Sequence, residues 1–226
     1  MIRATIFGLI LIFCFNANAQ FIDNYGVKIG AGLSNQYWDY KSDVFSGVSG
    51  WNVNKTGITA QIYAEKEFGK FFSYRQLIGY TQKGFIDSTT WRFSDGTVIP
   101  VIDDRVVFHD LSFDMLLKIS PFKGKIKPYI FAGFRGDYLI DYRGVKIDFL
   151  GEVMELNTYI YEDFKKITVG GLAGIGCSCS DLVIVDLEYN PAISKKFDSD
   201  GLAVNDRFFS LTIGLNINKL LKEKSE

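Results

Sequence analysis

Residues 105–119 read RVVFHDLSFDMLLKI, and their alternation decides the fold. Taking every second residue gives one apolar set that includes a single histidine: Val107, His109, Leu111, Phe113, Met115, Leu117 and Ile119. The opposite set contains the polar residues Asp110, Ser112, Asp114 and Lys118. Successive side chains of a β-strand point to opposite faces, so this period of two predicts a long strand with one apolar and one polar face.

Seven further segments alternate in the same way, at about 25–37, 55–68, 71–83, 126–142, 163–177, 181–193 and 206–218. Short turns near 69–70, 121–125 and 178–181 separate them in alternation with long loops at 38–54, 84–105, 143–162 and 194–205. Eight strands joined by alternating short and long connections predict an all-β fold, a closed antiparallel eight-stranded up-and-down transmembrane β-barrel.

The composition fits one domain. The 226 residues are 47% hydrophobic and 15% aromatic, which excludes a disordered chain. Twenty-two glycines with only four prolines favour β structure over a helix bundle. A formal net charge of -1 provides no basic surface, so we expect no nucleic-acid partner.

Residues 1–19 are predicted to be a cleaved signal peptide. Arg3 gives a positive start, residues 6–15 are apolar, and Ala17-Asn18-Ala19 is a small-x-small cleavage site before Gln20. Signal cleavage between Ala19 and Gln20 leaves residues 20–226 as the outer-membrane β-barrel domain. The alternatives are a retained anchor and lipidation at Cys14, but Phe13 stands where a lipobox needs a small residue.

The polar faces decide between a lipid-exposed barrel and a water-exposed one. Acids and bases are nearly balanced there, so they could pair across a narrow barrel interior. The predicted barrel-interior charge network is Lys28, Glu65, Glu67, Arg75, Lys83, Asp110, Asp114, Lys118, Arg135, Asp137, Asp186 and Glu188. The alternative is a secreted lipocalin-like barrel, in which the two faces would be exchanged.

Aromatic residues cluster near the ends of the segments, as in the girdles of membrane barrels. They are Tyr25, Tyr37, Trp38, Phe68, Phe71, Phe72, Phe85, Phe122, Tyr129, Tyr138, Tyr142, Phe208 and Phe209. We therefore predict localisation in the cell outer membrane of a Gram-negative bacterium, with outer-membrane lipid as the surrounding partner. The long loops would be extracellular, and both termini periplasmic.

Four strings carry a resemblance to a known family: Tyr80-Thr81-Gln82-Lys83-Gly84, Leu116-Leu117-Lys118, Lys127-Pro128-Tyr129-Ile130-Phe131-Ala132-Gly133 and Glu188-Tyr189-Asn190-Pro191. With them the chain resembles the PorT-like outer-membrane β-barrel proteins of Bacteroidetes-type bacteria over nearly its whole mature length. The resemblance implies a membrane barrel. An accessory role in protein secretion or surface assembly is the alternative function that the resemblance implies.

The chain offers little for catalysis. His109 is its one histidine, and Asp110 and Ser112 point away from it on the same strand, so we expect no enzyme. The alternative is a lipid-modifying hydrolase or acyltransferase using His109. Cys177 and Cys179 share one strand face and are read as structural. The acids at 103–104 and 198–200 match no complete calcium loop, so no cofactor and no metal are predicted.

Eight strands leave room only for side chains, so the polar interior is predicted to be a plug and not a conduction path. Trp38, Trp51 and Trp91 lie in or beside the first two long loops, where exposed aromatics would suit a ligand or partner surface. The alternative is that they anchor the girdle or pack within the loops. We therefore expect a monomeric barrel that acts structurally or binds a protein partner through its extracellular loops.

Overall fold

A computed structural model describes residues 22–41, 50–88, 92, 94–122, 124–156 and 161–223. The predicted signal peptide, its cleavage site at Ala19 and Gln20, and Trp91 lie outside the described residues. Thirteen strands, β1 to β13, are described together with one terminal helix, α1, which spans Ile217–Glu223. No helix in the described part of the chain is long and apolar enough to cross a membrane.

Eight of the strands form a closed antiparallel barrel in which chain neighbours are also spatial neighbours. They are β1 (Asn24–Tyr40), β3 (Val53–Phe68), β4 (Phe72–Ile86), β6 (Arg105–Ile119), β7 (Ile126–Arg143), β10 (Ile167–Cys179), β11 (Val183–Pro191) and β13 (Leu202–Asn216). Pairing of β13 with β1, from Gly26 opposite Asn216 to Tyr40 opposite Leu202, closes the sheet. The predicted fold class is confirmed.

The eight predicted segments correspond to these strands, with shifted ends. The sixth was expected at 163–177 and begins at Ile167, and the last was expected at 206–218 and begins at Leu202. The last strand also stops at Asn216, where α1 follows, and the Asn216 side chain accepts a hydrogen bond from the Lys219 amide. A side chain that caps a helix start in this way favours the switch out of the strand.

The long connections were predicted as plain loops, and this was wrong in part. They contain five short strands: β2 (Gly50–Trp51), β5 (Val101–Asp103), β8 (Val145–Phe149), β9 (Glu152–Leu156) and β12 (Phe197–Asp198). β5, β8 and β9 form a separate three-stranded sheet, whereas β2 and β12 extend the barrel wall. Strands of two to five residues are too short to show a reliable alternation in the sequence.

The outer wall of the barrel is apolar. Leu117 is 57% exposed on the outside, whereas its neighbour Leu116 is 1% exposed on the inside. Other outward positions are likewise exposed and apolar, among them Ile29, Ile58, Ile130, Phe134, Ile175, Leu187 and Leu211. An apolar exterior around a charged interior is the reverse of a water-soluble barrel, which excludes the lipocalin-like alternative.

The predicted aromatic girdle is correct only in part at the end with the short turns, where Tyr129 is buried inside the barrel, and it is partly wrong elsewhere. Tyr25, Phe72 and Phe122 are exposed there. Phe85 and Phe208, in contrast, are buried inside the barrel. Their inward position follows from strand parity, since Phe85 lies two residues from the inward Lys83. Closeness to a strand end does not decide which face a side chain occupies.

Candidate functional site

The barrel interior is occupied by a network of buried ion pairs. Near the end with the short turns, the Glu65 carboxylate accepts hydrogen bonds from Ser73 at 2.7 Å, Arg75 at 2.6 Å and Lys118 at 2.6 Å. Arg75 continues to Asp186, with 3.1 Å between its Nη1 and the carboxylate. A shared arginine thus links carboxylates from two strands that lie apart in the sheet.

The network continues along the barrel through Lys28. Its ammonium group lies 2.7 Å from Asp186 and 2.6 Å from Glu188. Arg135 lies 3.5 Å from Glu188 and forms two hydrogen bonds of 2.6 Å to Asp114. Because the lysine and arginine each join two acids, one continuous chain of opposite charges runs from Lys118 to Asp114.

Two more of the predicted interior residues, Lys83 and Asp137, form a separate buried pair at 2.6 Å. Asp110 is also buried, at 2% exposure. Lys118 is half-buried. Glu67 differs from the prediction, because it is exposed at the rim, where it accepts a hydrogen bond from Asn24. The alternation along β3 puts Glu67 on the inward face with Glu65. However, β3 ends one residue later, at Phe68, so the Glu67 side chain is open to water.

The interior also contains apolar side chains that the division into polar and apolar faces missed. They form one buried cluster: Tyr63, Leu77, Leu116, Tyr129, Phe131, Leu172 and Ile184. The Tyr129 ring lies 4.4 Å from the Lys118 ammonium group, and the Tyr129 hydroxyl donates to Asp186. Aromatic rings therefore fill the space between the ion pairs and stabilise the cations through their faces.

A second apolar cluster closes the end that carries the long connections. Its members are Phe85, Ile99, Val106, Phe108, Leu139, Val145, Ile147, Tyr161, Phe164 and Val204. Trp38 packs against this cluster, so it is part of the cap and not a free loop aromatic. Lys196, from the loop before β12, enters the cap with its ammonium 3.8 Å from the Phe108 ring and 3.2 Å from Asp206.

The opposite end is open. A cavity of about 260 Å³ lies there, lined by Tyr63, Glu65, Lys118, Tyr129 and residues of the short turns. At its rim, Lys127 and Asp181 form an ion pair of 2.7 Å whose side chains are about one third exposed. The cavity ends at the Glu65 and Arg75 ion pair, so it is a shallow vestibule below the filled interior.

His109 lies half-buried on the outward face near the end with the long connections. Its Nδ1 shares a hydrogen bond with the Tyr80 hydroxyl on the neighbouring strand, and the two rings stack with centroids 5.8 Å apart. Tyr80 is its one hydrogen-bonding side chain among the described residues. The arrangement is a polar contact at a membrane boundary, where ring hydroxyls and imidazoles are tolerated.

The remaining sites considered in the sequence behave as ordinary surface groups. Cys177 and Cys179 are free thiols on the outward face of β10. Within the described ranges, no cluster of three His, Cys, Asp or Glu residues is arranged to hold a metal. Asp198 is instead hydrogen-bonded by Lys41 and Lys195, and these contacts lower the pKa of its carboxyl group. In the same way the hydrogen bond from Arg105 lowers the pKa of Asp103.

In comparisons with known proteins, the chain is similar to solved structures in its fold. No protein-family model and no curated sequence matches the chain. Among solved structures, the chain is similar to Ail, the attachment invasion locus protein of Yersinia pestis, with 16% identity, a TM-score of 0.43 and coverage of 85% of this chain and 97% of Ail. Neisserial surface protein A is similar with 12% identity and a TM-score of 0.42, and the match covers 84% of this chain and 96% of that protein. OprG of Pseudomonas aeruginosa is similar with 9% identity and a TM-score of 0.43, and the match covers 85% of this chain and 95% of OprG.

The geometry itself determines where the protein resides. Every strand of the barrel is hydrogen-bonded on both sides, which is the condition for placing a sheet in lipid. The strands are 9–18 residues long, enough to span a bilayer at the usual tilt. With an apolar exterior and a charged, filled interior, the chain is an integral β-barrel protein of the Gram-negative outer membrane.

Proposed function

We propose that the protein is a non-conducting outer-membrane barrel that binds a protein partner through its long connections, which face the cell exterior. The observation that supports this most is that those connections are structured: they form the β5–β8–β9 sheet and a packed apolar cap. Several apolar side chains of this region stay exposed, among them Val98, Val101, Ile102, Leu150 and Val153. A structured apolar surface of this kind is typical of a binding site.

The filled interior supports a role without transport. The ion pairs from Lys118 to Asp114 cross the barrel, and the apolar cap covers one end. We expect no steady conductance steps in a planar lipid bilayer containing the purified protein. Stable single-channel openings would contradict this part of the proposal.

The resemblance to PorT-like proteins supports a more specific form of the same proposal. In that form the protein is an accessory component of a secretion or surface-assembly system. The strings that carry the resemblance lie in the barrel wall, for example the end of β4 and the first half of β7. They therefore support the kind of barrel, whereas the partner would be selected by the connections.

We propose a non-enzymatic role, because the His109 imidazole is engaged by Tyr80 and not by a serine and an acid. The lipid-modifying alternative makes a clear prediction. If it were right, His109→Asn would change the lipid A profile of the cells, and so would deletion of the gene. An unchanged profile in both strains supports the binding function.

The binding function is tested by covalent cross-linking on intact cells. Replacing residues 145–156, which hold β8 and β9, by a short glycine-serine linker should abolish cross-links to partner proteins. The matched control shortens the turn at 121–124 on the opposite end of the barrel and should leave them unchanged. Equal cross-linking in wild type and the 145–156 variant would contradict the proposal.

A further inference from the structure

The hairpin of β8 and β9 presents an open strand edge. β8 is the central strand of its sheet, with β5 on one side and β9 on the other. β9 pairs with β8 from Glu152 opposite Phe149 to Leu156 opposite Val145. Within the described part of the chain, no strand pairs with the other side of β9.

The register shows which backbone groups face this edge. The Asp148 amide donates to the Pro100 carbonyl at 2.9 Å, on the β5 side of β8. Asp148 stands opposite Val153 in the β8–β9 ladder. In an antiparallel pair, opposed residues either both face each other with their backbone groups or both face away. The Val153 N–H and C=O therefore point to the open edge.

The side chains of the hairpin are unusually apolar for a segment in water. Leu150 is 83% exposed, Val153 66% and Met154 45%. Leu150 and Gly151 form the two-residue turn with φ of 57° and 87°. Such a turn normally carries Asn-Gly, because a leucine with positive φ is strained. A strained, exposed leucine at the tip suggests a contact that covers it.

The charge of the hairpin indicates the chemistry of that contact. Natural edge strands are often protected by charged side chains, especially lysine, or by proline, and in β9 the charged residues are the two glutamates of the sequence EVMEL. The hairpin has one base, Lys146, against three acids, Asp148, Glu152 and Glu155. A second copy would bring two acidic edges together, and lipid chains offer no hydrogen bonds to the exposed amides.

We infer that β9 captures an extended segment of a partner protein as an added strand, and that this segment carries basic and apolar side chains in alternation. Backbone hydrogen bonds to Val153 would give the affinity, and the acidic hairpin would select the basic partner. This inference rests on the proposed binding function, and it specifies the partner's chemistry and its mode of attachment.

The test uses the full-length protein in lipid nanodiscs and a synthetic ten-residue peptide that alternates lysine with valine. We expect saturable binding by fluorescence anisotropy and at least a tenfold loss with Val153→Pro, which removes the outward N–H. Val153→Ala keeps that N–H and should bind within about threefold of wild type. A peptide with alternate N-methylated amides should not bind, which keeps the test decisive if the proline disturbs the hairpin.

Three results would overturn the inference. They are no binding of the parent peptide, equal binding of the N-methylated peptide, and dimers of the protein alone that Val153→Pro dissolves. On cells, Val153→Pro should lose the partner cross-links. If it kept them while replacement of residues 145–156 removed them, the proposed function would stand and strand addition at β9 would be wrong.

Discussion

The buried ion pair of Arg135 and Asp114 gives the sharpest test of the interior network. Both side chains are 1% exposed, and two hydrogen bonds of 2.6 Å join them. Arg135→Met would leave the Asp114 carboxylate buried, with Gln61 at 2.8 Å as its one donor among the described residues. Removing one partner of such a pair costs about 3–5 kcal/mol of unfolding free energy. That corresponds to roughly two to almost four powers of ten in the folding equilibrium.

The assay is reversible urea unfolding of the barrel in phosphocholine vesicles, followed by tryptophan fluorescence. The double variant Arg135→Met with Asp114→Leu should recover a large part of the loss, because no uncompensated charge stays buried. The matched control is Lys127→Met at the rim, whose pair with Asp181 is also short at 2.7 Å but about one third exposed. It should cost about 0.2–1 kcal/mol.

The reasoning is refuted if Arg135→Met costs no more than Lys127→Met. It is also refuted if the double variant is as unstable as the sum of its two single variants, since the two side chains would then act independently. Either result would mean that water reaches the pair and that the interior is not filled as described.

Three other predictions follow from local geometry. Gly133→Ala should destabilise the barrel by about 1–3 kcal/mol in the same urea assay, because its Cβ would clash with the Met115 carbonyl oxygen. At Gly136 the nearest atom is 4.0 Å away, so alanine should be tolerated there. The Asp198 carboxyl should titrate by NMR below the ordinary aspartate value of about 3.9, and since the folded pKa is lowered, its contacts should persist at neutral pH and be lost only as pH falls through that lower value. Tyr80→Phe removes the hydroxyl bonded to His109, and it should leave the lipid A profile unchanged, since we assign that contact no catalytic role.

Much of the fold could be predicted because lipid imposes a simple rule on long strands. From Val107 to Ile119 every second residue except His109 is apolar. That alternation separates Leu117 outside from Leu116 inside. The same rule places most of the charged interior residues. It fails at Glu67, where the strand ends and water enters.

The cap and the loop sheet could not be predicted in this way. Lys196 lies in a connection without periodicity, and it reaches Phe108 only because the loop folds back over the barrel mouth. Such contacts depend on the three-dimensional course of the loop and leave no local pattern. The inward position of Phe208 could have been predicted, because it lies two residues from the inward Ser210 and so shares its strand face. Its position near a segment end suggested a girdle instead.

The central claim is that lipid surrounds the apolar wall and protein fills the inside. Methyl NMR of the barrel in lipid nanodiscs tests it at two neighbouring leucines. The Leu117 methyl groups should show NOEs to lipid acyl-chain protons, and the Leu116 methyl groups should show NOEs only to interior side chains. Acyl-chain NOEs at Leu116, or water and no lipid around Leu117, would contradict the account.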